Sequence, residues 1–221
     1  MRTIISGTII LSILGLTAPA AAQTAPSGFS AAVTGGTLGI GPEVAFRGQR
    51  FGVRGNATFL SFSHGFDSDD IEYDGHARLR SAGVMLDLFP TGGGFRLSAG
   101  GRINGNRARA VATPTQPTEV GGVLYSPTQI GTLTGRAETK NFAPALTVGY
   151  AGGLRSGFTF GVEAGALFQG KVRIREFTSN GVFASNAAFK ASLEAERRDL
   201  QDDVDKYKVY PILQVSVGYR F

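Results

Sequence analysis

The sequence from Val209 to Phe221 reads V-Y-P-I-L-Q-V-S-V-G-Y-R-F. Leu213, Val215, Val217, Tyr219 and Phe221 alternate with Gln214, Ser216, Gly218 and Arg220. Successive side chains of a strand point to opposite sides, so this is a strand with one apolar and one polar face. In water, such a strand with a free edge would template aggregation. Lipid outside and a polar lumen inside demand this same dyad pattern, so the stretch reads as one stave of a transmembrane β-barrel.

The rest of the chain sets the size of that barrel. Residues 1–22 read as a secretory signal: Arg2, an apolar run from Ile4 to Leu16, and Ala20-Ala21-Ala22 before Gln23. A transmembrane helix is the competing reading, but the run is short and broken by Gly7, Ser12 and Gly15. Residues 23–221 then form the barrel, 199 residues (221 minus 22). At roughly 9–11 residues per tilted strand plus loops, that is room for eight antiparallel strands and no second domain. With no cysteine, no disulfide contributes. The net charge of +5 is scattered, with no basic run interleaved with aromatics. It favours contact with outer-membrane lipid and lipopolysaccharide over nucleic acid.

Short connections at 47–50, 90–94 and 151–157 separate long ones at about 65–75, 113–139 and 176–207, the asymmetry of periplasmic turns and extracellular loops. Alternating strands are expected over Thr37–Phe46, Phe51–His64, the stretch holding Ala82, Val84, Leu86 and Leu88, Phe95–Ala112, the stretch from Phe142 to Tyr150, and Phe158–Phe168 running on to Arg175. With the C-terminal strand these are seven. Parity calls for an eighth, and residues 27–34, turning at Gly35-Gly36, are the candidate. Merging that segment with its neighbour would leave an odd-numbered barrel or an open sheet. A two-residue turn at Gly48-Gln49 predicts Phe46 opposite Phe51 and Glu43 opposite Arg54. Apolar faces joined across 90–94 set Asp87 opposite Arg96 or Ser98.

The inward faces carry Glu43, Asp87 and Glu163 with Arg54, Arg96, Arg102 and Arg220. Two readings stay open for this network: a charged constriction that selects small solutes, or a plug, since eight-stranded barrels are just wide enough for side chains to fill. The first long loop holds Asp67, Asp69, Asp70, Glu72 and Asp74. It is read as solvated, with attraction of cationic solutes or divalent bridging to lipopolysaccharide as the alternatives. It lacks the flanking helices and final Glu of a calcium loop. In the second, Leu124-Tyr125 to Thr132-Leu133 is a candidate hairpin. In the third, Phe189, Leu193, Leu200 and Val204 form a helical stripe over Asn186–Lys206, with Asn186 as N-cap, read as a surface helix on the barrel rim or as a lid. His64 and His76 are the only histidines, and Ser61 and Ser63 alternate away from His64, so no enzymatic role is expected. No metal-ligand cluster or nucleotide-binding glycine loop is visible, and no cofactor is expected.

The stretches I71-E-Y-D-G-H-A-R-L-R-S-A-G, F142-A-P-A-L-T-V-G-Y, F160-G-V-E-A-G-A-L-F-Q-G-K-V and L193-E-A-E-R-R-D-L-Q-D-D-V-D-K-Y-K-V-Y-P resemble the CarO-type outer-membrane proteins. Those are small barrels associated with uptake of ornithine and basic amino acids. The resemblance implies an eight-stranded barrel of the bacterial outer membrane and uptake of small, cationic solutes, and it carries no binding residue onto a position here. The end of the chain likewise resembles the insertion signal that barrel-assembly machinery reads, with Val217, Tyr219 and Phe221 as its apolar positions. The chain departs from the family in having no tryptophan, which leaves Phe and Tyr to form the aromatic girdle.

Overall fold

The computed structural model describes residues 27–68, 71–152 and 155–221, with the backbone alone for Phe66, Asp67 and Ser68. The signal segment, Asp69 and Asp70 lie outside the described residues. In chain order the elements are β1 (Gly28–Gly36), β2 (Gly39–Arg47), β3 (Phe51–Ser68), β4 (Ile71–Leu88), β5 (Phe95–Asn104), β6 (Arg107–Pro114), β7 (Thr118–Val120), β8 (Val123–Tyr125), α1 (Pro127–Ile130), β9 (Leu133–Glu138), β10 (Phe142–Ala151), β11 (Gly157–Leu167), β12 (Arg173–Ile174), β13 (Thr178–Ser179), α2 (Ala187–Val204) and β14 (Tyr210–Arg220).

Eight of these strands close on themselves in the order β1-β2-β3-β4-β5-β10-β11-β14-β1, every neighbour antiparallel. Closure satisfies backbone donors and acceptors on both sides of each strand, the condition for crossing hydrocarbon. The strand that parity required is β1, and it joins β2 to β14. The outward positions are apolar and exposed, among them Phe29, Val44, Phe51, Leu86, Ile103, Phe142, Phe160, Val162 and Val215. The inward ones include buried charges, so the polarity of a water-soluble protein is inverted. The chain is therefore a transmembrane β-barrel.

Opposite the short turns, the three long connections rise beyond the ring. The first long loop is a continuation of strand pairing: β3 and β4 stay in register from Phe51↔Leu88 to Ser68↔Ile71. The predicted single strand Phe95–Ala112 breaks at Gly105-Asn106. There the Gly105 N–H donates to the Arg80 carbonyl at 2.7 Å and the Arg80 N–H to Asn106 Oδ1 at 2.9 Å. That crossing lets β5 stay in the ring while β6 pairs with the upper half of β4. β6 in turn pairs with β9, and β9 with β12 and β13. The sixth predicted strand likewise stops at Leu167, where Gly170 takes φ +70° and the chain leaves the wall. The hairpin of the second loop is β7–β8, earlier than the predicted one.

A cap completes the upper part. Val120, Tyr125, Ile130, Phe189 and Leu193 are buried together, with Leu133, Phe177 and Phe183 packed against them. Asn186 caps α2 as expected, its Oδ1 accepting the Phe189 N–H at 3.1 Å. Half of the predicted stripe is used: Phe189 and Leu193 are buried, whereas Leu200 is exposed. The helix packs on the cap and along β12 instead of on the barrel rim. Gln201 donates to the Val172 carbonyl at 2.7 Å and accepts from the Ile174 N–H at 2.9 Å, which covers an open sheet edge. On its solvent side, hydrogen bonds from Arg197 above all, and then from Arg198, hold the Glu194 carboxyl down to about 2, against the opposing pull of partial burial. A folded-state value below the unfolded one gives stability that is present above the unfolded value of about 4.3 and lost as pH falls through about 2. Hydrogen exchange of the α2 amides should therefore keep its protection near pH 5 and lose part of it toward pH 2. Glu194→Gln should remove that difference.

Candidate functional site in the barrel interior

Alternation aims Glu43, Arg54, Asp87, Arg96, Arg102, Glu163 and Arg220 inward, from six staves of the ring. The predicted partnership of Glu43 with Arg54 is met in contact but not in register. Glu43 stands opposite Asn56 and Arg54 opposite Ala45, because the tight turn after β2 falls at Gln49-Arg50, one residue later than expected, with the Gly48 N–H donating to the Phe51 carbonyl at 2.7 Å. A slip of two residues preserves both faces, so the polar face stays inside. The long guanidinium spans the offset and meets Glu43 at 3.2 Å. Asp87 sits opposite Ser98, one of its two expected partners, and accepts the Ser98 hydroxyl at 2.6 Å.

Arg54 is the hub. It also contacts Asp87 at 3.0 Å and Glu163 at 2.6 Å, and Glu163 holds Arg96 at 2.8 Å. In the ring order, β3 and β11 are four staves apart in either direction, so the Arg54–Glu163 contact crosses the lumen between opposite walls. Buried charges are tolerated only when paired in this way. Arg102 departs from the expected ion-pair scheme: neutral oxygens hold it, Asn56 Oδ1 at 2.6 Å, Ser81 Oγ at 2.8 Å and Thr58 Oγ1 at 3.2 Å.

Two interior features escaped the sequence reading. Arg47, read as part of a turn, lies buried over the Phe89 ring, 3.6 Å from its centroid, and donates to the carbonyls of Gly92 and Gly93. The alternation from Glu43 through Ala45 was the signal that it points inward. Further up, the lumen is apolar: Leu38, Met85, Ala143, Ala145, Leu167 and Ile212 are buried together with Tyr210 against them. Leu38 was expected outside with Ile40, but the turn and Gly39 at φ +104° bring it in. The pocket bordered by Arg47, Asp87, Arg96 and Arg220 measures about 40 Å³, space for little more than a water molecule.

The expected acidic loop is instead part of an extended hairpin: Asp67 pairs with Glu72, and Gly65 with Asp74. Ser63 stands directly opposite His76, while His64, opposite Gly75, faces the other way. Val217, Tyr219 and Phe221 all face outward, with Tyr219 between the rings of Phe158 and Phe221 at 5.9 and 5.5 Å.

A closed antiparallel ring with an apolar exterior and a paired-charge interior defines a small transmembrane barrel of the outer-membrane type. No family model matches the chain, and no curated protein matches it. Among solved structures the fold is similar to that of CarO from Acinetobacter baumannii, with a TM-score of 0.57 at 20% identity over 87% of this chain and 97% of that one. CarO2 from the same organism gives 0.57 at 19% identity over 90% of this chain and all of that one. The CarO-type resemblance read from the sequence therefore holds at the level of the fold.

Proposed function

We propose that this protein resides in a bacterial outer membrane as a barrel with a closed lumen, and that it acts through its extracellular face. The observation that carries this reading is the contact of Arg54 with carboxylates from β2, β4 and, across the lumen, β11. A guanidinium held by three carboxylates occupies the space a solute would need, and the apolar cluster above it offers an ion no solvation. The described interior charges also weigh against a route for cations: Arg47, Arg54, Arg96, Arg102 and Arg220 face only Glu43, Asp87 and Glu163. Arginine-rich linings favour anions. Uptake of small cationic solutes is the second reading. It is supported by the family resemblance and by the carboxylates of the β3–β4 hairpin. Planar-bilayer recordings of the folded protein distinguish the two: we expect no steady conductance, and a persistent, solute-dependent current would overturn the closed reading.

A further inference from the structure

The outer face of β4 is sorted by height. From the short-turn end it reads Leu88, Leu86, Val84 and Ala82, then Arg80, Arg78 and His76, then Asp74 and Glu72, all exposed. Ala82, Ile103 and Phe142 form an outward row near the top of the apolar belt, and Phe59 stands one step higher, opposite Arg80. Above it, Arg78 stands opposite Arg107, His76 opposite Arg109, and Arg109 opposite Arg136. Like charges directly opposite one another destabilise a sheet. Among the described residues, Arg78, Arg80, Arg107, Arg109 and Arg136 have no ion-pair partner, and the carboxylate in their midst, Glu138, is held by Arg175 at 2.8 Å. The surface here is a groove of about 630 Å³, with Ser61 and Ser63 among its hydroxyl donors.

We infer that this basic band is a binding site for the phosphorylated headgroup of an outer-leaflet lipid. Height carries the argument. With about 3.3 Å of rise per residue and a strand tilt of about 40°, each outward row stands about 5 Å above the last. The headgroup zone extends about 5–8 Å beyond the hydrocarbon. Counted from the Ala82 row, Arg80 stands about 5 Å up, inside that zone, the Arg78–Arg107 row about 10 Å up and the Arg109–Arg136 row about 15 Å up, from where the long arginine side chains reach down toward it. The positive charge is confined to this level, since Asp74 and Glu72 reverse the sign higher on the same face. A planar anionic layer matches such a band, whereas a polyanion in solution would gain nothing from the reversal. On the inner face the cap ring of Phe177 packs over Gly135, where an added Cβ would meet it at 3.0 Å. The arginines stand on the outer face, the one continuous with the apolar belt below. The inference rests on the membrane placement proposed above and not on the state of the lumen.

The test uses the full chain folded in detergent micelles, with bis-phosphorylated lipid A as the probe and native mass spectrometry as the readout. Wild-type protein should retain lipid A, lose it with rising salt, and bind the phosphatase-treated lipid at least about ten-fold more weakly. The combined Arg78→Gln, Arg107→Gln, Arg109→Gln and Arg136→Gln variant should lose at least about ten-fold in affinity while keeping the heat-modifiable mobility of a folded barrel. Each arginine near an anionic surface is worth about a five-fold change. Undiminished binding by the folded variant, equal binding of the dephosphorylated lipid, or displacement by equimolar inorganic pyrophosphate would overturn the site. Should the variant not fold, the salt titration and the dephosphorylated lipid on wild-type protein decide. Failure to insert into phospholipid vesicles would refute the membrane placement instead, and is scored separately.

Discussion

Arg54→Ala should cost this barrel about 3–5 kcal/mol, the penalty for removing one partner from a buried charge cluster. The substitution leaves Glu43, Asp87 and Glu163 facing one another without the cation that now contacts all three. Arg96 compensates only in part: it holds Glu163 at 2.8 Å but stands 4.0 Å from Asp87. The measurement is the shift in the urea midpoint for unfolding from detergent or lipid. A comparison variant sharpens it. Replacing the group together, with Glu43→Leu, Arg54→Met, Asp87→Leu and Glu163→Leu, should cost much less than Arg54→Ala alone, because no charge is then left buried and unpaired. If Arg54→Ala cost under about 1 kcal/mol, the magnitude typical of solvated pairs, water would be reaching the carboxylates and the closed-lumen reading would fall.

What the sequence revealed of this network, and what it withheld, follows from the physics of a strand. Alternation fixes which face a side chain takes, so Glu43, Arg54, Asp87, Arg96 and Glu163 were all legible as interior residues. It cannot fix register to better than two residues, since a slip of two leaves every face unchanged. That is why Arg54 could be paired with Glu43 in contact while its cross-strand partner, Ala45, was missed. The apolar part of the lumen was hidden because Ala143 and Ala145 look like spacers between large outward residues, and Met85 and Ile212 sit on faces that otherwise read as polar. The outer ends of β3 and β4, about residues 65–75, were read as a loop for a related reason. Beyond the membrane, water wets the outer face, so Glu72 and Asp74 carry no hydrophobic period. The break at Gly105-Asn106 depends on hydrogen bonds to Arg80, a residue far away in sequence, and no local pattern announces it.

Phe189→Ala should separate the cap from the barrel. The Phe189 side chain is fully buried, and its ring meets Tyr125 at 4.9 Å between centroids, nearly edge-on. Truncating a buried phenylalanine costs about 3–5 kcal/mol. A cluster as small as this one, with no disulfide to hold it, has little stability in reserve. The expected result is local: protection of the α2 amides collapses, and protease cuts appear between residues 184 and 208. The ring strands and their heat-modifiable mobility should remain unchanged. The reason is topological. The cap reaches the ring through β6, β9 and β12, while the eight-strand ring closes through pairings that involve none of them. Asn186→Ala removes one capping hydrogen bond and should shift the same equilibrium by only about 1 kcal/mol. The two variants then grade one local unfolding event. If instead the midpoint of the whole barrel falls in step with loss of the cap, the cap and ring unfold as one unit. The apolar cluster in the upper lumen would then depend on what is packed above it.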